Sequence, residues 1–381
     1  DTIWLTKQDR IDDSKAIFGE ASFDFTDKLT ATAGFRYFEQ DSGLKGFFGF
    51  SAGFSPNSSY GEGSCVNAGN TEPYKTAPCK VFDKTIKETG TLGKFNLTYK
   101  IDEDKLIYGT WSEGYRPGGV NRRGTLPPYL SDYLTNWEFG WKTSWMDNRL
   151  TFNGAVFREE WEDFQFSILG ANGLTEIKNA NQAQIDGIEM DINWAVSYNL
   201  SISGGVAFYD AQLTDNYCGW VNETTGNPET VCPAGTVNPD GDVVSGPEAP
   251  SGTRLPVTAD FKGNLTARYT FDWKDYEPFI QGALVYEGER STDLRTASNE
   301  IFGQLPSYTV FDLSAGIRKS NWTLNLYVKN LFDESAEFNR FAMCAEAVCG
   351  ASGYDAQYPN GQVYTIASQP RTIGLRFSQE F

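Results

Sequence analysis

Six cysteines, a short run of arginines and two clusters of aromatic rings are the residues whose types and spacing bear on chemistry in this 381-residue chain. Cys65 with Cys79, Cys218 with Cys232, and Cys344 with Cys349 form three local pairs in stretches rich in Gly, Pro or Asn. Closing short loops in this way is what an oxidising compartment permits. Zinc is the rival use of such thiols, but the spacings match no zinc pattern and the chain has no histidine. Asn238–Asp242 (NPDGD) opens like a calcium loop, then lacks the downstream acidic spacing. No resident metal or cofactor is therefore expected. Without histidine, a nucleophile elbow or a phosphate loop, the chemistry points to binding rather than catalysis.

The candidate binding residues lie in two polar segments and beside one strand end. Tyr115, Arg116, Arg122 and Arg123 follow Glu113 among glycines. Guanidinium groups there suit charge-assisted hydrogen bonds to an anionic chelate; pairing with the chain's own acids is the alternative. Phe47, Phe48, Phe50, Phe54 and Tyr60 sit between glycines over 43–60, and Trp161 and Phe164 form a smaller aromatic pair. Such rings either stack on a flat ligand or fold back onto neighbouring loops.

What must position these residues is read from periodicity. Over Ala16–Phe25, Ile17, Gly19, Ala21 and Phe23 share one face, and Glu20, Ser22 and Asp24 share the other. Period two with one apolar face is a strand signature. The pattern returns through tight polar turns in six hairpins, and a last strand over Arg371–Phe381 makes about thirteen. Six long connections separate the hairpins, roughly 39–93, 113–135, 159–186, 210–261, 287–310 and 330–370, and they hold every cysteine. Short turns at one end and long loops at the other predict an all-β transmembrane antiparallel barrel, and a soluble sandwich usually lacks this asymmetry. Ile188, Met190, Ile192 and Trp194 alternate with Glu189, Asp191 and Asn193, and such charge suits a wet lumen better than a dry core. Trp145, Trp194, Phe271 and Trp322 near the short turns fit an interfacial aromatic girdle.

Composition agrees. The formal charge of −18 argues against nucleic acid as a partner. Mean hydropathy is −0.44, and no apolar run is long enough for a spanning helix, which leaves spanning strands open.

Several segments resemble the C-terminal half of TonB-dependent outer-membrane receptors. LIYGTWSEGYRPGGVN (Leu106–Asn121) resembles that family's strand-to-loop segment, and NWEFGWKTSWMDNRLTFNGAVFREEWEDFQ (Asn136–Gln165) the hairpin after it. NANQAQIDGIEMDINW (Asn179–Trp194) and YTVFDLSAGIRKSNWTLNLYVKNLFDE (Tyr308–Glu334) match in order and spacing. The ending PRTIGLRFSQEF, up to Phe381, resembles the signal read by the outer-membrane assembly machinery. The resemblance implies that residues 1–381 form the last thirteen or so strands of a 22-stranded barrel in the Gram-negative outer membrane, facing lipid. The plug domain and the TonB-contacting box would lie in a missing N-terminal part. It implies capture of a scarce nutrient by the loops, an iron–siderophore complex first among cobalamin, haem and oligosaccharide, with energy from the TonB complex. A passive pore and a structural or adhesin barrel without energy coupling are the alternatives.

Overall fold

A computed structural model describes residues 4–50, 65, 72–122, 126–169, 175–221, 228–237, 243–342 and 363–380. The period-two alternation produces β1 (Trp4–Asp24), β2 (Leu29–Phe50), β3 (Phe82–Lys100), β4 (Lys105–Arg116), β5 (Asp132–Trp145) and β6 (Leu150–Glu162). After a small hairpin of β7 (Gln165–Leu169) and β8 (Thr175–Asn179) come β9 (Gln182–Ala195), β10 (Leu200–Leu213), β11 (Phe261–Thr270) and β12 (Glu277–Glu287). A two-turn helix, α1 (Thr296–Phe302), precedes β13 (Tyr308–Lys319) and β14 (Trp322–Lys329). A second small hairpin of β15 (Glu337–Ala342) and β16 (Val363–Ala367) leads into β17 (Thr372–Gln379).

Thirteen strands form one sheet in the order β1-β2-β3-β4-β5-β6-β9-β10-β11-β12-β13-β14-β17, every neighbour antiparallel. The expected strand number and the one-sided distribution of turns are both observed. Among the described residues, β1 and β17 each pair on one side.

Register keeps the two faces distinct. Leu97, Gly109, Phe139 and Val156 stand opposite one another across β3 to β6. One step along, Thr98, Tyr108, Gly140, Ala155 and Glu189 form a row on the other face. A slip of one residue would exchange these rows. The apolar rows are left open: Phe23, Phe35, Phe139, Leu326, Leu375 and Phe377 are among many exposed large side chains. An apolar band of this extent is untenable against water and is what a transmembrane barrel presents on its outer face. Among the described residues no helix is long and apolar enough to cross a membrane.

On the polar face, aromatic rings lie over cross-strand glycines. A Cβ at Gly140 would come 2.3 Å from Cζ of Tyr108, whose hydroxyl donates to Glu138 at 2.6 Å. The same close approach holds Phe157 over Gly187. At the short-turn end, Lys105 Nζ lies 4.5 Å over Trp145, Phe271 meets Tyr269 at 4.8 Å, and Trp322 meets Phe377 at 6.4 Å. Trp194 is half-buried at the same end, opposite Leu150.

Strand ends reach further than the alternation predicts. β1 begins at Trp4 rather than Ala16, and the 39–93 connection shrinks because β2 reaches Phe50 and β3 starts at Phe82. Their outer thirds carry charge on both faces, as in Lys7–Asp13, so the apolar alternation fades while backbone pairing continues.

Candidate ligand-binding mouth

At the long-loop end, the backbone of the connection after β4 decides where side chains go. Pro117 lacks an N–H and follows the last residue of β4, Arg116. Gly118 then approaches so closely that a Cβ would meet Tyr129 O and a Glu88 carboxylate oxygen at 2.6 Å. Glu88 accepts from the Gly118 N–H at 2.9 Å, the Ser131 N–H at 2.8 Å and the Ser131 hydroxyl at 2.6 Å. This carboxylate therefore ties β3 to the β4–β5 connection.

Asp132 is the centre of the mouth. It is 1% exposed and opposite Arg116 in the β4–β5 ladder. Its carboxylate accepts from Arg116 Nε at 2.9 Å and also from Nη2, from Trp161 Nε1 at 3.0 Å, and from the Gln165 backbone N–H at 3.1 Å. The Arg116 guanidinium also lies 4.8 Å over the Trp161 ring and donates to Gln165 O at 2.9 Å. Charge-assisted bonds converging on one buried carboxylate satisfy its lone pairs and fix both partners' orientations. About half of the Arg116 side chain remains exposed.

The β7–β8 hairpin is clamped to the same connection by amides that imitate backbone. Asn179 exchanges hydrogen bonds with the Leu130 N–H and C=O at 2.9 and 3.0 Å. Asn121 does the same with Ile177 at 2.9 and 2.8 Å. Phe164, Phe166, Tyr217, Ala249, Leu255 and Leu294 then pack in one buried cluster drawn from three long connections. Phe166 and Tyr217 meet edge-on at 4.9 Å. Burial pushes the Tyr217 hydroxyl's pKa well above its ordinary value, and the charge of Glu248 adds to this. In the turn after β6, Asp163 is raised to about 6, chiefly by burial and then by Glu162 and Asp132.

Of the residues singled out from sequence, Arg116 and Trp161 are brought together. Tyr115 stacks on Phe38 at 3.7 Å. Arg122 is exposed, while Arg123 lies outside the described residues. Phe47 and Phe48 are 2% and 0% exposed, so both rings pack loops instead of facing solvent. Phe48 joins Leu44, Phe82 and Val120, and Phe47 joins Ala77 and the Cys65–Cys79 pair. Disulfides link Cys65 to Cys79 and Cys218 to Cys232, with Cα separations of 5.8 and 5.6 Å. Cys344, Cys349, the Asn238–Asp242 segment, Phe54, Tyr60 and Phe381 lie outside the described residues. Sequence reasoning missed Glu88, Asp132, Gln165 and Asn179. All four fall inside the long connections read over 39–93, 113–135 and 159–186, where no periodic pattern marks them.

Relatives share this architecture. A sequence profile described as "TonB dependent receptor-like, beta-barrel" matches residues 5–331. The pesticin receptor of Yersinia enterocolitica is 27% identical over 121 residues, 30% of this chain and 18% of that protein. The "Probable TonB-dependent siderophore receptor PiuA" of Acinetobacter baumannii is 25% identical over 132 residues, 32% of this chain and 17% of that protein. The crystal structure of the ferric yersiniabactin uptake receptor FyuA from Yersinia pestis superposes with a TM-score of 0.68 at 16% identity. That superposition covers 98% of this chain and 46% of FyuA, so the chain spans less than half the length of these relatives. The profile match, the thirteen-stranded antiparallel sheet and the long loops gathered at one end lead to one assignment: the chain belongs to the TonB-dependent receptor family, as part of its β-barrel.

Proposed function

We propose that the chain belongs to an outer-membrane receptor that captures a scarce chelate, an iron–siderophore complex first, and takes it up with energy supplied through TonB. The observation that carries this reading is the mouth, where three long connections share a buried core beside the half-exposed Arg116 on Asp132 and Trp161. A guanidinium held rigidly over an aromatic ring offers directed donors and a flat apolar surface to an anionic, ring-bearing chelate. The probable siderophore receptor among its relatives supports that ligand class. Lipid would cover the apolar face, the assembly machinery would read the final strand, and TonB would act through the rest of the receptor.

The test is growth of a strain lacking the full gene, under iron limitation, on ferric catecholate, hydroxamate and phenolate siderophores supplied singly. Loss of growth on one of them, restored by the gene, is expected. Growth unchanged on all three, with faster entry of small uncharged sugars when the gene is present, would replace this reading with a passive pore.

A further inference from the structure

The apolar face contains a groove that register creates. Phe95, Trp111 and Trp137 form one row across β3, β4 and β5, and Leu97, Gly109, Phe139 and Val156 form the next row toward the short turns. Gly109 is the gap in that second row. A Cβ there would meet only the Glu138 carbonyl oxygen, at 4.0 Å. Gly140 and Gly154, by contrast, are covered by the rings of Tyr108 and Trp141. The result is a groove of about 580 Å³ between Leu97 and Phe139, flanked by Trp111 and Trp137, whose rings lie 6.3 Å apart.

The other lining positions, Thr110, Glu138 and Phe157, alternate toward the polar face, where Glu138 binds the Tyr108 hydroxyl and Phe157 covers Gly187. The groove wall is therefore hydrocarbon and aromatic. Trp137 lies eight residues along β5 from Trp145 at the short-turn end, about 20 Å of height at a strand tilt near 40°. An apolar band about 25 Å tall places the groove within hydrocarbon depth, just below the outer interface.

We infer that this groove is a docking site for the acyl chain of a bilayer lipid, held more firmly than the lipid around it. The inference rests on the outer-membrane reading. An extended hydrocarbon chain fills the slot left by one absent side chain between its neighbours and gains contact on both sides. Continuity with the apolar band toward the short turns, through Leu97, Phe139 and Val156, favours a lipid tail over a water-borne ligand, and Arg158, opposite Trp137 and paired with Asp186, bounds the groove on the β6 side.

The test uses the full-length receptor extracted from outer membranes in mild detergent, with retained lipid counted by native mass spectrometry. Phosphatidylethanolamine with brominated acyl chains, added back after delipidation, is the probe. Wild type should retain one lipid through detergent exchange, and bromine should quench tryptophan fluorescence at low lipid ratios. Gly109→Leu fills the slot and should lower retention about tenfold, the equivalent of losing roughly two buried methylenes. Gly109→Ala should keep most of it. If Gly109→Leu fails to give a heat-modifiable barrel, Trp137→Ala removes one wall and should produce the same loss. Equal retention by wild type and a folded Gly109→Leu or Trp137→Ala protein would overturn the inference while leaving the receptor reading intact. A dimer mass lost on Gly109→Leu would overturn it in favour of a second copy on this face. Absence of the protein from the outer-membrane fraction would instead overturn the reading beneath it.

Discussion

Trp161 donates its indole N–H to the buried carboxylate of Asp132 at 3.0 Å, while Arg116, paired with that carboxylate, lies 4.8 Å over the indole ring. The three residues come from β4, β5 and β6 and are 16 and 29 positions apart by hydrogen-bonded pair. One carboxylate thus sets the position of both a cation and a ring at the mouth.

Replacing Asp132 with Ala should release both partners and the β7–β8 hairpin. Deleting one member of a buried, charge-assisted set costs about 3 kcal/mol. Arg116→Ala should cost less, because that side chain is half-exposed and Asp132 keeps Trp161 and the Gln165 N–H. The measurement is hydrogen exchange over residues 163–181, expected to rise strongly in Asp132→Ala and modestly in Arg116→Ala. Equal rates in both would show that Asp132 is not the anchor.

The turn after β6 should respond to pH. Asp163 has its pKa raised to about 6 in the folded state, from an ordinary value of 3.8, by burial and by Glu162 and Asp132. A raised carboxylate binds more protons folded than unfolded, so its contribution to stability is full below about pH 3.8 and is lost as pH rises through about 6. Protease cleavage within β6–β8 should therefore be faster at pH 7.5 than at pH 5. Asp163→Asn, which suits the left-handed backbone there (φ 52°), should flatten that difference. A pH dependence surviving in the Asn variant would assign it to another group.

Opening the Cys218–Cys232 bridge should loosen the β10–β11 connection without disturbing the sheet. A disulfide spanning 14 residues limits the unfolded loop by about 3 kcal/mol. Cys218→Ser with Cys232→Ser should expose residues 214–260 to limited proteolysis, while strand content by circular dichroism stays unchanged. Loss of strand signal would mean that the loop core and the sheet form one cooperative unit.

Gly187 must stay small. A Cβ there would come 2.3 Å from Cζ of Phe157, so Gly187→Val should expel the ring and cost about 1–3 kcal/mol by overpacking. The check is the temperature at which the barrel loses its compact mobility in detergent gels. An unchanged transition would show that Phe157 has room to turn aside.

The spanning part of the sheet was legible because alternation is local: Leu97, Phe139 and Leu375 announce their face from neighbours two residues away. Strand ends beyond the apolar band were not, since in Lys7–Asp13 pairing is carried by backbone that leaves no pattern in side chains. The β7–β8 hairpin offers five residues per strand, too few for a periodic signal. Arg116 and Trp161 were visible as residue types, but their meeting point was not. Asp132 joins them through contacts 16 and 29 residues apart, and Glu88 reaches Ser131 across 43. Phe47 and Phe48 left two readings open, stacking on a ligand or folding back, and they fold back onto neighbours that sequence alone does not bring together.

The most direct test of the central claim is uptake of radio-iron by cells producing the full receptor, in strains with and without functional TonB. Each ferric siderophore is supplied at graded concentrations. The account predicts saturable uptake of at least one siderophore that disappears without TonB and weakens in Arg116→Ala. Uptake that rises linearly with concentration and is indifferent to TonB would contradict it.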